Sequence, residues 1–245
     1  MSLSDAALAR QLATEAGRLL MRLRDNQDPD ATALGAEGDR EANRQILAAL
    51  RRERPDDAIL SEEEVADPAR LKARRIWIID PLDGTREYGE RRDDWAVHVG
   101  LSIDGVAREG AVALPALGAC FCSEHPPALR LESSPLRMLV SRTRPAKEAL
   151  AVAEALGAEL VPMGSAGAKA MAVLRGEADI YLHTGGQYEW DNCAPAAVAL
   201  AAGLHASRVD GAPLVYNRAD PLLPDLLICH KSRAEQVLQL VRDLG

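Results

Sequence analysis

The chain has 245 residues, a size between one large domain and two smaller ones sharing an interface. Hydrophobic residues make up 47% of it and aromatic residues only 3%, so a sizeable core must be built from Ala, Leu, Val and Ile. A net charge of −8 with no basic stripe argues against a nucleic-acid polymer or an anionic membrane as partner, and an anionic substrate would need its counter-charge from a divalent metal.

Ser4 precedes a stretch in which Leu8, Leu12, Ala16, Leu19, Leu20 and Leu23 share one face, predicting a helix that fades by Asp25. The Asn, Asp, Pro and Gly content of 25–38 predicts a loop. Its glycines, Gly35 and Gly38, precede Asp39, where a second helix is expected to start and run to about Glu53, before Pro55. Ala58–Leu60 reads as a short buried strand ending in the acidic run Ser61-Glu62-Glu63-Glu64, and Arg75–Asp80 as the next strand. Residues 95–103, 106–114 and 118–122 predict consecutive strands of an antiparallel sheet, the first pair joined by the hairpin turn Asp104-Gly105. Residues 123–135 have no periodicity and mark the expected boundary between an N-terminal half, 1–132, and a C-terminal half, 133–245. The second half alternates. Strands are expected at 136–141, 159–163, 179–183, 205–209 and 226–229, and helices at 145–156, 165–175, 191–202 and 232–244. Such alternation argues for sheets covered by helices.

Residues 1–24 lack the basic start and continuous apolar run of a signal peptide, and no window approaches the apolar length of a membrane span. The four cysteines, Cys120, Cys122, Cys193 and Cys229, show neither CxxC spacing nor a dense framework. They read as reduced, buried thiols of a cytoplasmic protein. Cys193 lies two residues past Asp191, close enough to that acid to be oxidisable near a site. The five histidines form no ligand spacing and receive no role.

The most informative segment is Asp80-Pro81-Leu82-Asp83-Gly84-Thr85, directly after the apolar run Ile76-Trp77-Ile78-Ile79. Two carboxylates at the mouth of a buried strand cannot both stay charged and dry without a cation. Hard oxygen ligands at this density suit Mg²⁺. Gly84 and Thr85 then offer a small-residue helix start of the kind that binds anions. A metal and an anion side by side point to phosphate ester chemistry. Asp39, Glu62 and Asp191 fall at comparable stations, strand ends and helix starts, where loops of layered α/β folds converge.

These residues carry a resemblance. Trp77–Thr85 resembles the first signature of the inositol monophosphatase superfamily of lithium-sensitive phosphatases. Leu60-Ser61-Glu62-Glu63 resembles its upstream metal-binding segment, and Glu189-Trp190-Asp191 its second signature. The separations also match the family's pattern: 23 residues from Asp39 to Glu62, 18 on to Asp80, 3 to Asp83 and 108 to Asp191. Thr85-Arg86-Glu87-Tyr88, Val140-Ser141-Arg142 and Gly164-Ser165 with Lys169 are closer to the 3′(2′),5′-bisphosphate nucleotidase branch. After Trp190-Asp191 the chain departs from the usual small residues and Gly, reading Asn192-Cys193-Ala194-Pro195. Pro195 is expected in the first helical turn.

The resemblance implies an αβαβα sandwich, with an antiparallel sheet in the N-terminal half and a mixed sheet in the C-terminal half. It implies hydrolysis of a small-molecule phosphate ester, 3′-phosphoadenosine 5′-phosphate, a by-product of sulfate transfer and assimilation. It further implies two or three Mg²⁺ ions held by Glu62, Asp80, Asp83, Asp191 and the Leu82 carbonyl, and a Thr85–Asp39 pair that activates water. Glu62, Leu82, Asp83, Gly84, Thr85 and Asp191 would also face substrate, with the Gly84 and Thr85 amides on phosphate. Ser141, Arg142, Ser165 and Lys169 would contact the second phosphate or the nucleoside. A homodimer is implied as well. The alternative within the family is an inositol monophosphatase or fructose-1,6-bisphosphatase activity. Outside it stand an aspartyl-phosphate phosphatase, disfavoured because its two acids are two residues apart near the first strand, and a non-catalytic metal binder, which need not keep both Asp39 and Thr85.

Overall fold

A computed structural model describes residues 3–26 and 30–244. Residues 27–29 of the expected loop lie outside the described residues. In chain order the elements of the first half are α1 (Asp5–Asn26), α2 (Ala31–Glu53), β1 (Ala58–Ser61), β2 (Arg75–Asp83), α3 (Thr85–Gly89), β3 (Ala96–Ile103), β4 (Val106–Leu114) and β5 (Ala119–Cys122). The second half holds β6 (Arg137–Ser141), α4 (Lys147–Leu156), β7 (Glu159–Met163), α5 (Ala166–Leu174), β8 (Ile180–Tyr188), α6 (Glu189–Ala201), β9 (His205–Ser207), β10 (Leu222–Cys229) and α7 (Lys231–Leu244).

Among the described residues there are two five-stranded sheets, ordered β1-β2-β3-β4-β5 and β7-β6-β8-β10-β9. The first is antiparallel except at its edge, where β1 runs parallel to β2. The second is mixed, with β6 parallel to β7 and β8, and β10 antiparallel to β8 and β9. At the first hairpin Asp104 (φ 52°) and Gly105 (φ 79°) both take positive φ, the conformation a tight two-residue hairpin needs.

Strand alternation builds five layers. Trp77, Ile79, Val97, Val99 and Leu101 point to one face of the first sheet and pack under α1 and α2. Ile76, Ile78, Ala96 and Val112 point to the other, where α5 and α6 lie between the sheets against Tyr181, Leu226 and Ile228. On the far side of the second sheet Ile180, Leu182, Leu227 and Cys229 meet α4 and α7. The order is therefore helix, sheet, helix, sheet, helix.

Two expectations need correction. Asp39 does not open a helix: α2 starts at Ala31, with Asp30 as N-cap accepting from Ala33 N at 2.8 Å. Gly35 and Gly38 are interior residues of α2, retained because the helix lies too close to its neighbours for a side chain. A Cβ on Gly35 would sit 2.6 Å from Thr85 Cγ2, and one on Gly38 3.0 Å from Leu82 Cδ2. Nor is Pro195 in a first turn. Helix α6 begins at Glu189, which places Pro195 inside it, where the ring denies the Asp191 carbonyl its usual helical donor. The helix still runs to Ala201, because its body is buried on nearly every side.

Helix α6 approaches the first sheet over two paired glycines, Gly100 and Gly110. A Cβ on Gly110 would lie 2.9 Å from both Cα and O of Ala194. Gly110→Ala would gain on strand propensity at an open site. Here it is expected instead to destabilise the protein by about 1–3 kcal/mol, read as a lowered Tm in thermal unfolding, because the backbone of α6 must move. An unchanged or raised Tm would contradict this packing.

Candidate functional site

The site forms where β2 leaves the first sheet. In a regular strand, residues three apart face opposite sides. Asp80 pairs with His98 and Asp83 with Ala96, so β2 carries one residue more than β3 between these pairs. This bulge, at Pro81-Leu82, resets the alternation. Pro81 suits it, having no N–H to offer the ladder. Asp80 and Asp83 consequently turn to the same side, toward α5 and α6.

Helix α6 brings the third acid. Asp80, Asp83 and Asp191 each present a carboxylate oxygen within 4.8 Å of the others. In each, one carboxylate oxygen accepts from a protein donor. Asp80 Oδ1 accepts from Leu82 N at 3.0 Å. Asp83 Oδ2 accepts from Ser165 Oγ at 2.5 Å and Gly167 N at 2.6 Å. Asp191 Oδ2 accepts from Tyr188 N at 2.5 Å, capping its own helix. Glu62, just past β1, reaches hydrogen-bonding distance of Asp80 and is repelled by Asp191 and Asp83. The four acids are thus one cluster.

Their electrostatics show what the cluster lacks. Burial, then Glu62 and Asp83, holds Asp80 well above the usual carboxylate range. Burial and Asp191 raise Glu62 to about 7, and burial and Asp83 raise Asp191 to about 6. Asp83 is the exception. Burial alone would raise it, but His98, Ser165 and Gly167 hold it at about 2. His98, fully buried, places Nε2 3.2 Å from Asp83 Oδ2 and Nδ1 3.0 Å from the Trp190 carbonyl. The Asp83 carboxylate raises its pKa overall, against burial. Buried Asp80 and Asp83, half-buried Asp191 and the exposed Glu62 at their edge repel one another, and this set of hard oxygen donors is a fit for a divalent cation.

Beside the cluster, Thr85 Oγ1 lies 3.2 Å from Asp39 Oδ2 and 3.1 Å from the Leu82 carbonyl oxygen. Asp39 is buried, and its Oδ1 has no protein partner. Burial, then Glu63 and Glu62, pushes Asp39 up to about 7. Gly84 holds the turn between Asp83 and Thr85 at φ 89°, a conformation that favours glycine.

The remaining sequence-predicted residues border an adjoining pocket of about 250 Å³ that includes Gly84, Thr85, Ser141, Arg142, Ser165 and Lys169. Lys169 is only 6% exposed, and its Nζ donates to the carbonyls of Gly164 and Ser165 at 2.6 and 2.7 Å. Arg142 Nη2 donates to Glu87 Oε1 at 2.8 Å and Glu90 Oε2 at 2.9 Å. Ser165 Oγ both donates to Asp83 and caps α5 by accepting from Ala168 N at 2.9 Å. Ser141 Oγ accepts from Arg144 N at 3.2 Å.

Over residues 4–245 the chain matches the family described as Inositol monophosphatase family. The chain belongs to the inositol monophosphatase family. A 3′-phosphoadenosine 5′-phosphate phosphatase of Mycobacterium leprae is 50% identical over 99% of this chain and 95% of its own. The 3′(2′),5′-bisphosphate nucleotidase CysQ of Escherichia coli K12 is 29% identical over 87% of this chain and 94% of its own. Among solved structures of the family, that of CysQ from Bacteroides thetaiotaomicron superposes with a TM-score of 0.79 at 24% identity, covering 93% of this chain and 97% of the other. Inositol monophosphatase II of Staphylococcus aureus superposes with a TM-score of 0.80 at 18% identity, covering 94% and 92%. At these identities the structures establish the family fold. Among the described residues, no helix is long and apolar enough to cross a membrane.

Sequence reasoning missed His98. The signal was available, since a lone imidazole directly across the ladder from Asp80 faces the same side of the sheet, but it required the β2–β3 register.

The raised carboxylates have a consequence for stability. Asp39, Glu62, Asp80 and Asp191 titrate higher folded than unfolded. Each contributes stability that is complete below its unfolded pKa and lost as pH rises through the folded one. Asp83, held low, contributes a constant term above its unfolded pKa. Metal-free protein should therefore lose Tm as pH rises from about 5 to about 8. Added Mg²⁺ should raise Tm more at the upper end of that range, because ion binding competes with protons. A Tm increment independent of pH would contradict this.

Proposed function

We propose that this chain is a Mg²⁺-dependent phosphatase that removes the 3′-phosphate of 3′-phosphoadenosine 5′-phosphate, giving AMP and phosphate. The observation that carries the reading is half-identity, across nearly the whole of both chains, to a relative bearing that activity in its name. The convergent acids supply the chemistry. Glu62, Asp80, Asp83, Asp191 and the Leu82 carbonyl would hold the metal. Two or three Mg²⁺ ions held there would supply a lowered pKa for the attacking water and charge stabilisation for the leaving alkoxide.

The chain's own groups then handle the proton. Thr85 Oγ1 has one hydrogen and two nearby acceptors, Asp39 Oδ2 and the Leu82 carbonyl. When it donates to Asp39, its lone pairs are free to accept a water proton, so water can pass a proton to Thr85 as Thr85 passes its own to Asp39. A carboxylate raised to about 7 is matched to that role at neutral pH. The amides of Gly84 and Thr85 would receive phosphate oxygens. The same family reading carries lithium sensitivity, a cytoplasmic location and a homodimeric state.

Phosphate release in Mg²⁺ tests this. Wild type should show a higher kcat/KM on 3′-phosphoadenosine 5′-phosphate than on inositol 1-phosphate or fructose 1,6-bisphosphate. A reversed order would transfer the assignment to the other branch of the family. Asp80→Asn should lower turnover by roughly 10³-fold or more with the fold intact. Thr85→Ala should lower kcat by about 10²–10⁴-fold. Near-normal rates for either variant at saturating Mg²⁺ would contradict the roles given to them.

A further inference from the structure

Three elements meet at the acid cluster, and one side chain touches all three. His98 lies on β3, fully buried, opposite Asp80 in the ladder. Its Nε2 lies 3.2 Å from Asp83 Oδ2, at the end of β2. On the other edge of the ring, Nδ1 lies 3.0 Å from the Trp190 carbonyl oxygen, in the first turn of α6. A carbonyl only accepts, so Nδ1 carries the hydrogen of that bond. The third neighbour is α5. A Cβ on Gly167 would overlap Nε2, so the ring fits because residue 167 is glycine, and Gly167 N donates to the same Asp83 oxygen.

Burying an imidazole here costs free energy unless both nitrogens meet polar partners. Packing does not ask for one. On this face of β3 the neighbours of His98 are Ala96 and Gly100, and a Cβ on Gly100 would stand 2.9 Å from Ala194 N of α6. An apolar side chain would fill the gap between them. What it would not do is link. His98 reaches from Asp83 to the backbone of Trp190, the residue directly before Asp191. Ser165 and Gly167 already hold Asp83 from α5, so the tie to α6 is what the ring adds. Both ring nitrogens face protein oxygens, which leaves neither of them for a metal ion.

Building on the reading of the cluster as a divalent-cation site, we infer that His98 is a positioning residue for that site: its ring ties Asp83 of β2 to the first turn of α6, so that Asp83 and Asp191 stay close enough to share one ion. Partners of this kind, one step removed from the ion, typically change metal affinity by about 10–100-fold when lost.

The test measures Mn²⁺ affinity without substrate, from the electron paramagnetic resonance signal of the free ion, well below the Tm of each variant. His98→Phe keeps the bulk of the ring and removes both contacts. His98→Gln keeps an amide nitrogen near the Nε2 position, toward Asp83. His98→Asn keeps one near the Nδ1 position, toward the Trp190 carbonyl. His98→Phe should weaken Mn²⁺ binding by about 100-fold, and the two amide variants by about tenfold each, because each restores one end of the tie. The Mg²⁺ concentration that gives half-maximal phosphate release should rise in the same order. If His98→Phe does not fold, the tenfold losses in the amide variants carry the test. Wild-type Mn²⁺ affinity in the folded variants would overturn the role of His98 and leave the cation site standing. Equal losses in all three would also overturn it, as a packing defect, and so would full recovery by His98→Gln with none by His98→Asn. Wild-type protein that binds no Mn²⁺ would remove the cation site, and the role of His98 with it.

Discussion

Mutual repulsion among Asp80, Asp83, Asp191 and Glu62 is the constraint around which the rest of the molecule is arranged. Packing these carboxylates together costs free energy through both desolvation and like charge. The scaffold must therefore impose the arrangement. It does so by backbone geometry: a bulge at Pro81-Leu82 that turns two acids of one strand to the same side, and a helix set close against the first sheet over Gly100 and Gly110. Neither device leaves the acids an easy way to relax apart while the core stays packed.

The cluster also joins the two halves of the chain. Asp80 and Asp83 belong to the first sheet, and Asp191 to the helix that follows β8 of the second. Asp83 goes further, since its Oδ2 accepts from Ser165 and Gly167 at the start of α5 while His98 lies against it from β3. One apolar cluster runs from Ile76 and Ile78 through α5 and α6 to Tyr181 and Ile228, so a shared core backs the shared site. Asp80, Asp83 and Asp191 share one device: an oxygen of each accepts from a neighbouring donor, which fixes the side chain within the cluster. Asp83 carries its charge with protein help alone, whereas Asp39, Glu62, Asp80 and Asp191 do not.

The five-layer order was legible because strand alternation writes two faces into runs such as Ile76–Ile79, and because strands and helices alternate so regularly after residue 136. The acids could be found because a strand of apolar residues ending in two carboxylates has no structural reason on its own. What escaped was whatever depended on partners distant in sequence. Gly35 and Gly38 carry a loop signal locally, yet they lie inside α2, glycine there because Thr85, Leu20, Leu82 and Tyr88 leave no room for a side chain. The partners of Lys169 and Arg142 had no local sign either, because the carbonyls and carboxylates they bond are supplied by tertiary structure. His98 looked idle because its importance lies in the register of β2 against β3.

The central claim is that Asp80 and Asp83 of β2 and Asp191 of α6 together hold a divalent cation. A crystal soaked in Mn²⁺, with anomalous scattering recorded at the manganese edge, tests it most directly. The account predicts at least one peak at about 2.0–2.3 Å from oxygens of Asp80, Asp83 and Asp191 together, the distance range of hard divalent ions. Active enzyme whose manganese lies elsewhere, with the three carboxylates splayed apart or bound only to one another, would contradict it.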